Sequence, residues 1–290
     1  MDVTRVPCMY VFVDILCDLD HLVATIRHNF EPGARLVLAG TIQFASSLQA
    51  ARQALAADFP ALAVPQAKPL SPGEVLGCTA PVLAGDADAI VFLADGRFHL
   101  EALMIANPSV PAYRYDPYPR VLTRERYDHR GMRDVRRRMV ERARGARLWG
   151  VVMGTLGRQG NPRVVDAVRE KLRAQGKELV TVLVSEVSPQ KLRAFEGVEA
   201  WVQVACPRLS IDWGEGFELP TLTPFEAFVA LGAAPAWWDQ APDADGVEPY
   251  PMDYYSRDGG EWSSSYLKGK ARAPGDRKGR VLPHLARKAA

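Results

Sequence analysis

Apolar positions recur along this chain in two alternating patterns. Short, nearly continuous runs, "ARLVLAGT" (34–41), "DAIVFLADG" (88–96), "ARLWGVVMGT" (146–155), "ELVTVLVS" (178–185) and "EAWVQVAC" (199–206), have the character of strands buried on both faces, and "YVFVDI" (10–15) reads as another strand. Between them, apolar residues fall at helical spacing. "LDHLVATIRHNF" carries Leu22, Val23 and Ile26, with Asp20 able to cap it. "SSLQAARQALAADF", "LEALMIAN" and "NPRVVDAVREKLRAQG" are further helices, the last stopped by Gly176. Strands alternating with helices predict an α/β fold of βαβ units, with mainly parallel sheets flanked by helices.

The two halves can be laid on one another. "ARLVLAGT" plus a helix matches "ARLWGVVMGT" plus a helix, and "DAIVFLADGRFH" matches "EAWVQVACPRLS", which sets Asp95 opposite Cys206 and Arg97 opposite Arg208. A repeat spaced by roughly 110 residues is too long for a solenoid unit and predicts two similar domains. We place them at 1–123 and 124–238, followed by a tail at 239–290. Between them, "RERYDHRGMRDVRRRMVERARGAR" (124–147) reads as a basic linking helix. It could meet an acidic partner or RNA, but a solvated helix face is the expectation, with no direct nucleic-acid role. The tail is rich in Gly, Pro, Ser and charge, so its end is expected to be disordered, while the aromatic "YPMDYY" is expected to dock onto the body first.

Composition narrows the class. With 290 residues, 48% hydrophobic, the chain can bury a sizeable core, and the formal net charge of +2 selects no partner. No stretch approaches a membrane span of ~20 apolar residues, and "MDVTRVPCMY" has no signal-peptide pattern, so a cytoplasmic location is expected. The four cysteines, Cys8, Cys17, Cys78 and Cys206, are scattered without a CxxC pair, which speaks against a disulfide framework and suits a reducing compartment.

Two of these cysteines sit where chemistry collects. In "VQVACPRLSIDWG" (202–214), Pro207 removes the next backbone donor, so the strand is expected to end near Cys206, ahead of an Asp-Trp-Gly turn. The carboxyl ends of strands are where open α/β sheets gather ligands, although a buried thiol serving as a small hydrophobe remains the plainer reading. Cys78 follows the capping-box signature Ser71, Pro72, Glu74, which predicts a short helical turn from Pro72 to Gly77 and a rigid loop presenting the thiol. The same device recurs at Thr223, Pro224 and Glu226, with Gly232 as the stop.

Other candidates are weaker. "GTLGRQGN" lies between a strand and a helix and could offer backbone N–H groups to a carboxylate or phosphate, or be simply a tight turn; it is neither a Walker loop nor a GxGxxG fingerprint. Asp95, Arg97 and His99 mark another strand end, where a lone His is more often a structural hydrogen-bonder. Arg208 and Asp212 could form a buried pair beneath Cys206, and Tyr113, Tyr115 and Tyr118 are expected to pack a domain edge.

Five strings in register, "GTIQF" (40–44), "KPLSPGEVLGCTAP" (68–81), "DGRFHLEALMIANPSVPAYRYDPY" (95–118), "GTLGRQGNP" (154–162) and "QVACPRLSIDWG" (203–214), resemble the eukaryotic subunit-1 family of 2-(3-amino-3-carboxypropyl)histidine synthases, which open diphthamide biosynthesis. The resemblance runs from about Tyr10 to about Tyr255. It implies three similar α/β domains around a [4Fe-4S] cluster, each giving one cysteine and leaving one iron open for S-adenosylmethionine. By motif, Cys78 and Cys206 would be the cysteines of the second and third domains, and Gly154, Gly157, Arg158 and Gln159 would contact the methionine part of S-adenosylmethionine. No catalytic side chain is assigned. The implied reaction transfers a 3-amino-3-carboxypropyl group to a histidine of translation elongation factor 2, with a second subunit as heterodimer partner and an electron donor. The family's first domain, with its "YGACC"-like motif, has no counterpart in this sequence, and neither Cys8 nor Cys17 sits in such a motif. A truncation, a domain supplied by another chain, or a chain inactive by itself are the readings this leaves. A non-catalytic scaffold subunit of the same complex is the alternative function; a generic α/β metabolite-binding protein leaves both cysteine motifs unexplained.

Overall fold

The computed structural model describes residues 13–83, 87–157, 159–240 and 250–263. Two four-stranded sheets organise it. The first contains β1 (Leu36–Gly40), β2 (Ala89–Leu93), β3 (Ala112–Asp116) and β4 (Val121–Glu125) in that spatial order, parallel except for the antiparallel β3–β4 pair. It carries α1 (Leu19–Asn29), α2 (Ala45–Leu55) and α3 (Phe98–Ala106). The second, in the order β6-β5-β7-β8, is parallel throughout: β5 (Leu148–Gly154), β6 (Glu178–Val184), β7 (Ala200–Val204) and β8 (Thr221–Leu222). Its helices are α4 (His129–Arg144), α5 (Pro162–Ala174), α6 (Pro189–Arg193), α7 (Arg208–Trp213) and α8 (Pro224–Ala230). The α/β architecture expected from the alternating pattern is the one observed.

Side-chain alternation along the strands sorts the apolar residues into layers. In the first sheet Leu36, Leu38, Val91 and Leu93 face α1 and α2, whereas Val37, Ala39, Ile90 and Phe92 face the other way, into a core that runs on without a break to Val151, Val202 and Val204 of the second sheet. Trp201 and Val152 point out of that shared core, toward Leu192 and Phe217. The overlay also has a structural counterpart, since β1 and β2 are parallel neighbours, as are β5 and β7. Where the second sheet has β6 beside β5, the first has, among the described residues, only two isolated parallel bridges on β1, Ala63 to Val37 and Glu74 to Gly40.

Several local expectations need correction. Val13–Ile15 are not in a strand; Ile15 instead donates its N–H to the Gln43 carbonyl at 2.8 Å, and the start of "YVFVDI" lies outside the described residues. The cap of α1 is Asp18, whose carboxylate accepts from the His21 N–H, because Asp20 is already inside the first turn. Residues 71–77 form no helix. Gly73, at φ +81°, turns the chain after Pro72, and Glu74 then bridges to Gly40 beside β1, while its carboxylate still accepts from the Ser71 N–H. The basic segment starts later than expected, because Thr123–Glu125 pair with β3, and Asp212 and Trp213 end α7 rather than forming a turn. Tyr115 is buried beneath α1 and Tyr113 meets Phe30 edge-on, but Tyr118 is exposed. The second capping box is complete, with Gly232 at φ +68° beyond it.

The face of α4 is not wholly solvated. Arg136 is fully buried and meets Glu226 of α8 through two hydrogen bonds of 2.7 Å, with a third from the guanidinium to the Thr221 carbonyl at 2.9 Å. Glu226 also accepts from the Tyr250 hydroxyl at 2.8 Å and the Thr223 N–H at 2.8 Å, so one carboxylate ties α4, α8 and the docked "YPMDYY" segment together. Arg137 and Arg138 do face solvent, pairing with Glu141 and Glu215. Among the described residues no helix is long and apolar enough to cross a membrane. The end of the tail, from 264, lies outside the described residues.

Glu226→Gln keeps the shape of the side chain but leaves the Arg136 charge buried without its counter-ion. We expect a loss of about 3–5 kcal/mol in urea unfolding of the full chain. A midpoint unchanged from the parent would show that the pair contributes nothing.

Candidate functional site

The two sheets meet at a cavity of about 410 Å³ lined by Leu76, Gly77, Cys78, Phe98, His99, Gln159, Cys206 and Tyr255. The two cysteines flagged by sequence, 128 positions apart in numbering, therefore share one chamber. Cys206 lies two residues beyond the end of β7, as Asp95 lies two beyond β2. Pro207 then opens α7, fixing the half-buried thiol at a strand's carboxyl end.

Cys78 is held differently. Leu76 and Thr79 exchange both backbone hydrogen bonds, at 3.0 and 3.1 Å, which leaves Gly77 and Cys78 as the tip of a two-residue hairpin. Glycine is required at 77 because the Phe98 ring lies against it; a Cβ there would fall 2.2 Å from Phe98 Cε1. The Thr79 hydroxyl donates toward Cys78 Sγ at 3.9 Å. On the far side of the hairpin sits residue 250–263 chain: Thr79 bridges to Asp253, the Ala80 N–H meets the Met252 carbonyl at 2.8 Å, and the Tyr255 N–H donates to the Thr79 hydroxyl at 3.1 Å. That segment is braced in turn by Asp253, which accepts from the Gly260 N–H and the Trp262 indole.

One cation joins the two cysteine loops. Arg208, 2% exposed, donates to Asp212 at 2.8 and 2.9 Å, to the Phe98 carbonyl at 2.9 Å and, in a very short contact, to Glu101. Its guanidinium also stacks over the Phe98 ring, 4.5 Å from the centroid. Burial alone would lower its pKa, but the bonds to Asp212 and Glu101 raise it, so it stays charged. Glu101 extends the network to Arg97, and Arg97 reaches Glu125 of β4. The expected Arg208–Asp212 pair is present, and Glu101, whose part no motif suggested, completes it.

Burial pushes the Cys78 thiol from 9.0 up to about 12, with the neighbouring Cys206 sulfur adding to the rise and Thr79 and Arg208 partly opposing it. Cys206 is raised as well, chiefly by burial. The Tyr255 phenol is raised by burial and then by the two sulfurs, so it remains a donor. Each sulfur thus disfavours a negative charge on the other, and a metal cation between them would reverse that penalty. Two convergent thiols with apolar walls from Leu76 and Phe98, and no carboxylate or lysine in the lining, fit two ligand positions of an iron–sulfur cluster better than a hard-cation site. Among the described residues no group of three or more His, Cys, Asp and Glu could hold a metal ion, and the sulfur ligands they bring to this cavity are Cys78 and Cys206. Cys17 packs beside the α1–α2 core instead, and Cys8 lies outside the described residues.

The remaining sequence candidates divide. Gln159 lines the cavity; Gly154 ends β5, Gly157 turns at φ +70°, and Arg158 lies outside the described residues. The α5 N-terminus is already capped by Asn161, which accepts from the Arg163 N–H. His99 lines the cavity while its Nδ1 bonds the Val75 carbonyl at 3.0 Å; Asp95 is exposed. Sequence reasoning missed Phe98 and Tyr255 as cavity walls. Tyr255 carried a signal, the aromatic run docking on the body, but nothing local says which surface it docks to.

A family model described as "diphthamide synthesis protein" matches residues 1–242. Chicken (Gallus gallus) 2-(3-amino-3-carboxypropyl)histidine synthase subunit 1 is 52% identical over 268 residues, 92% of this chain and 63% of that protein. The human protein of the same name is 51% identical over 267 residues, 92% of this chain and 58% of its own length. The chain thus spans less than two thirds of the length of these relatives. The crystal structure of Dph2 from Pyrococcus horikoshii matches with a TM-score of 0.61 at 24% identity, over 77% of this chain and 65% of that one. The same protein with a 4Fe-4S cluster matches with a TM-score of 0.62 at 24% identity, over 82% and 68%. These likenesses establish the shared fold.

The raised thiols have a direct chemical consequence, because only the thiolate is nucleophilic. In the metal-free folded chain at pH 8, iodoacetamide should alkylate Cys78 on the order of 100-fold or more slowly than in urea, with the rate still climbing well above pH 9. Equal rates folded and unfolded would refute the burial of this thiol.

Proposed function

The chain belongs to the diphthamide synthesis protein family, and from that premise we propose that it takes part in the first step of diphthamide biosynthesis. In this reading a 3-amino-3-carboxypropyl group passes from S-adenosylmethionine to a histidine of translation elongation factor 2. The observation that carries the proposal is the convergence of Cys78, from a hairpin tip, and Cys206, from the carboxyl end of β7, on one cavity. They would hold a [4Fe-4S] cluster through their thiolates, with a further thiolate supplied from beyond this cysteine pair. When bound, such a cluster supplies the electron that breaks a carbon–sulfur bond of the sulfonium substrate.

This chain's own residues then bind, orient and exclude water. The hairpin at Gly77 and the turn at Cys206–Pro207 fix the sulfurs. Phe98 and Leu76 make an apolar wall, and Gln159, His99 and Tyr255 give the cavity its polar groups. Gln159, with Gly154, Gly157 and Arg158, is proposed to meet the methionine portion of S-adenosylmethionine. The group leaves methylthioadenosine behind as its carbon–sulfur bond breaks; a carbon–carbon bond forms to the histidine ring, whose carbon gives up a proton together with one electron, offsetting the electron first taken from a separate donor, so the transfer is redox-neutral overall. A second subunit of the synthase completes the proposed assembly, which works in the cytoplasm.

The scaffold alternative draws on a specific observation, that among the described residues only a pair of thiols converges. The two readings separate in the complex with the second subunit, loaded with iron and sulfide under a reductant. We expect carboxyl-labelled S-adenosylmethionine to transfer label to elongation factor 2, and Cys206→Ala to abolish the transfer with little change in melting, since thiol to methyl removes little packing. A parent complex that holds its cluster yet transfers nothing would favour the scaffold; undiminished transfer by Cys206→Ala would overturn the ligand assignment.

A further inference from the structure

The main chain at Gln159 is placed awkwardly for a residue that lines a cavity. It lies in the turn between β5 and α5, where Gly160 folds back so tightly that a Cβ on it would fall 1.9 Å from the Gly154 carbonyl oxygen. No backbone–backbone hydrogen bond among the described residues holds the Gln159 main chain. Its carbonyl accepts instead from a side chain 96 positions later, the Tyr255 hydroxyl, at 3.0 Å. The same tyrosine donates its backbone N–H to the Thr79 hydroxyl, which itself donates toward Cys78 Sγ. One residue therefore spans from the hairpin that carries Cys78 to the turn that carries Gln159, and its ring forms part of the wall between them.

We propose that Tyr255 is a positioning residue for the aminocarboxypropyl transfer: its hydroxyl holds the Gln159 turn at the cavity, so that the sulfonium substrate is bound in one orientation relative to the cysteine pair. The inference rests on the function proposed above and adds to it a residue from outside the motifs that suggested that function. The hydroxyl contributes through geometry rather than through the reacting atoms, so its loss should weaken substrate binding more than the chemical step. Trp262 and Phe225 support the arrangement, packing at 4.7 Å between centroids, and Lys171 of α5 pairs with Glu261 at 3.3 Å, so the segment behind Tyr255 is anchored independently of the hydroxyl.

Tyr255→Phe removes the hydroxyl and keeps the ring, so packing and melting temperature should stay close to the parent's. In the metal-free full chain, the carbonyl carbon-13 resonance of Gln159 should shift upfield, because this carbonyl loses the hydrogen bond that the Tyr255 hydroxyl gives it. The Gln175 and Gln203 carbonyl resonances should not move. In the loaded complex, KM for S-adenosylmethionine should rise by about five- to tenfold, the effect of losing one hydrogen bond, with kcat within about twofold and iron content unaltered. An unmoved Gln159 resonance would overturn the brace. A shifted resonance with an unchanged KM would reduce Tyr255 to a structural residue and overturn its role in positioning. A parent complex that transfers no label would count against the proposed function, while the carbonyl shift would still decide whether the brace exists.

Discussion

The site depends on the charge of Arg208, buried between the two sheets with almost no access to water. A guanidinium in that position must find partners within the protein, and each partner it finds belongs to something that matters for the cavity. Asp212 is one turn along its own helix, just past Cys206; Glu101 and the Phe98 carbonyl belong to α3 of the other sheet. The Phe98 ring, stacked under the guanidinium, presses in turn on Gly77 at the base of the Cys78 tip. The separation of the two sulfurs is therefore set by a chain of contacts that starts from the need to neutralise one cation.

A second buried arginine works by the same logic at a distance from the cavity. Arg136 and Glu226 bind α4 to α8, and because Tyr250 shares the carboxylate, the aromatic segment that walls the cavity is fixed from behind. The apolar core could form without either pair. What the pairs add is a definite placement of one sheet's loops against the other's, which hydrophobic contact alone specifies poorly.

How much of this could be read from the chain follows from the range of each interaction. The apolar strands β1, β2, β5, β6 and β7, the larger helices, the box at Thr223 and the turn at Gly176 are encoded within a few residues, and they were legible. That Cys78 and Cys206 lie at turns was legible because turn-forming residues flank each of them. The pairing of β4 with β3 was not, since "VLTRE" has neither the apolar run nor the alternation of a buried strand and is extended because β3 lies beside it. The cap of α1 shows the limit of local reading from the other side: Asp18 and Asp20 are both plausible caps by composition, and only the backbone geometry chooses. Arg136 was hidden among the charges of a basic helix, because nothing in "RDVRRRMVER" reveals which arginine will meet a carboxylate 90 positions later. Glu101 and Tyr255 share that difficulty, each acquiring its partners across more than 90 residues.

The hairpin at Cys78 is completed by a hydrogen bond given to the Met252 carbonyl and by others received from the N–H groups of Tyr254 and Tyr255, contacts separated by more than 170 positions along the chain. On the ribosome, the first cysteine loop has to wait through most of the protein's synthesis before its outer edge can be paired. The chamber around the two thiols is accordingly completed only once the chain is nearly all made, and a nascent chain stalled after the second sheet would present both thiols in a half-built mouth, open on the side that the last stretch later closes.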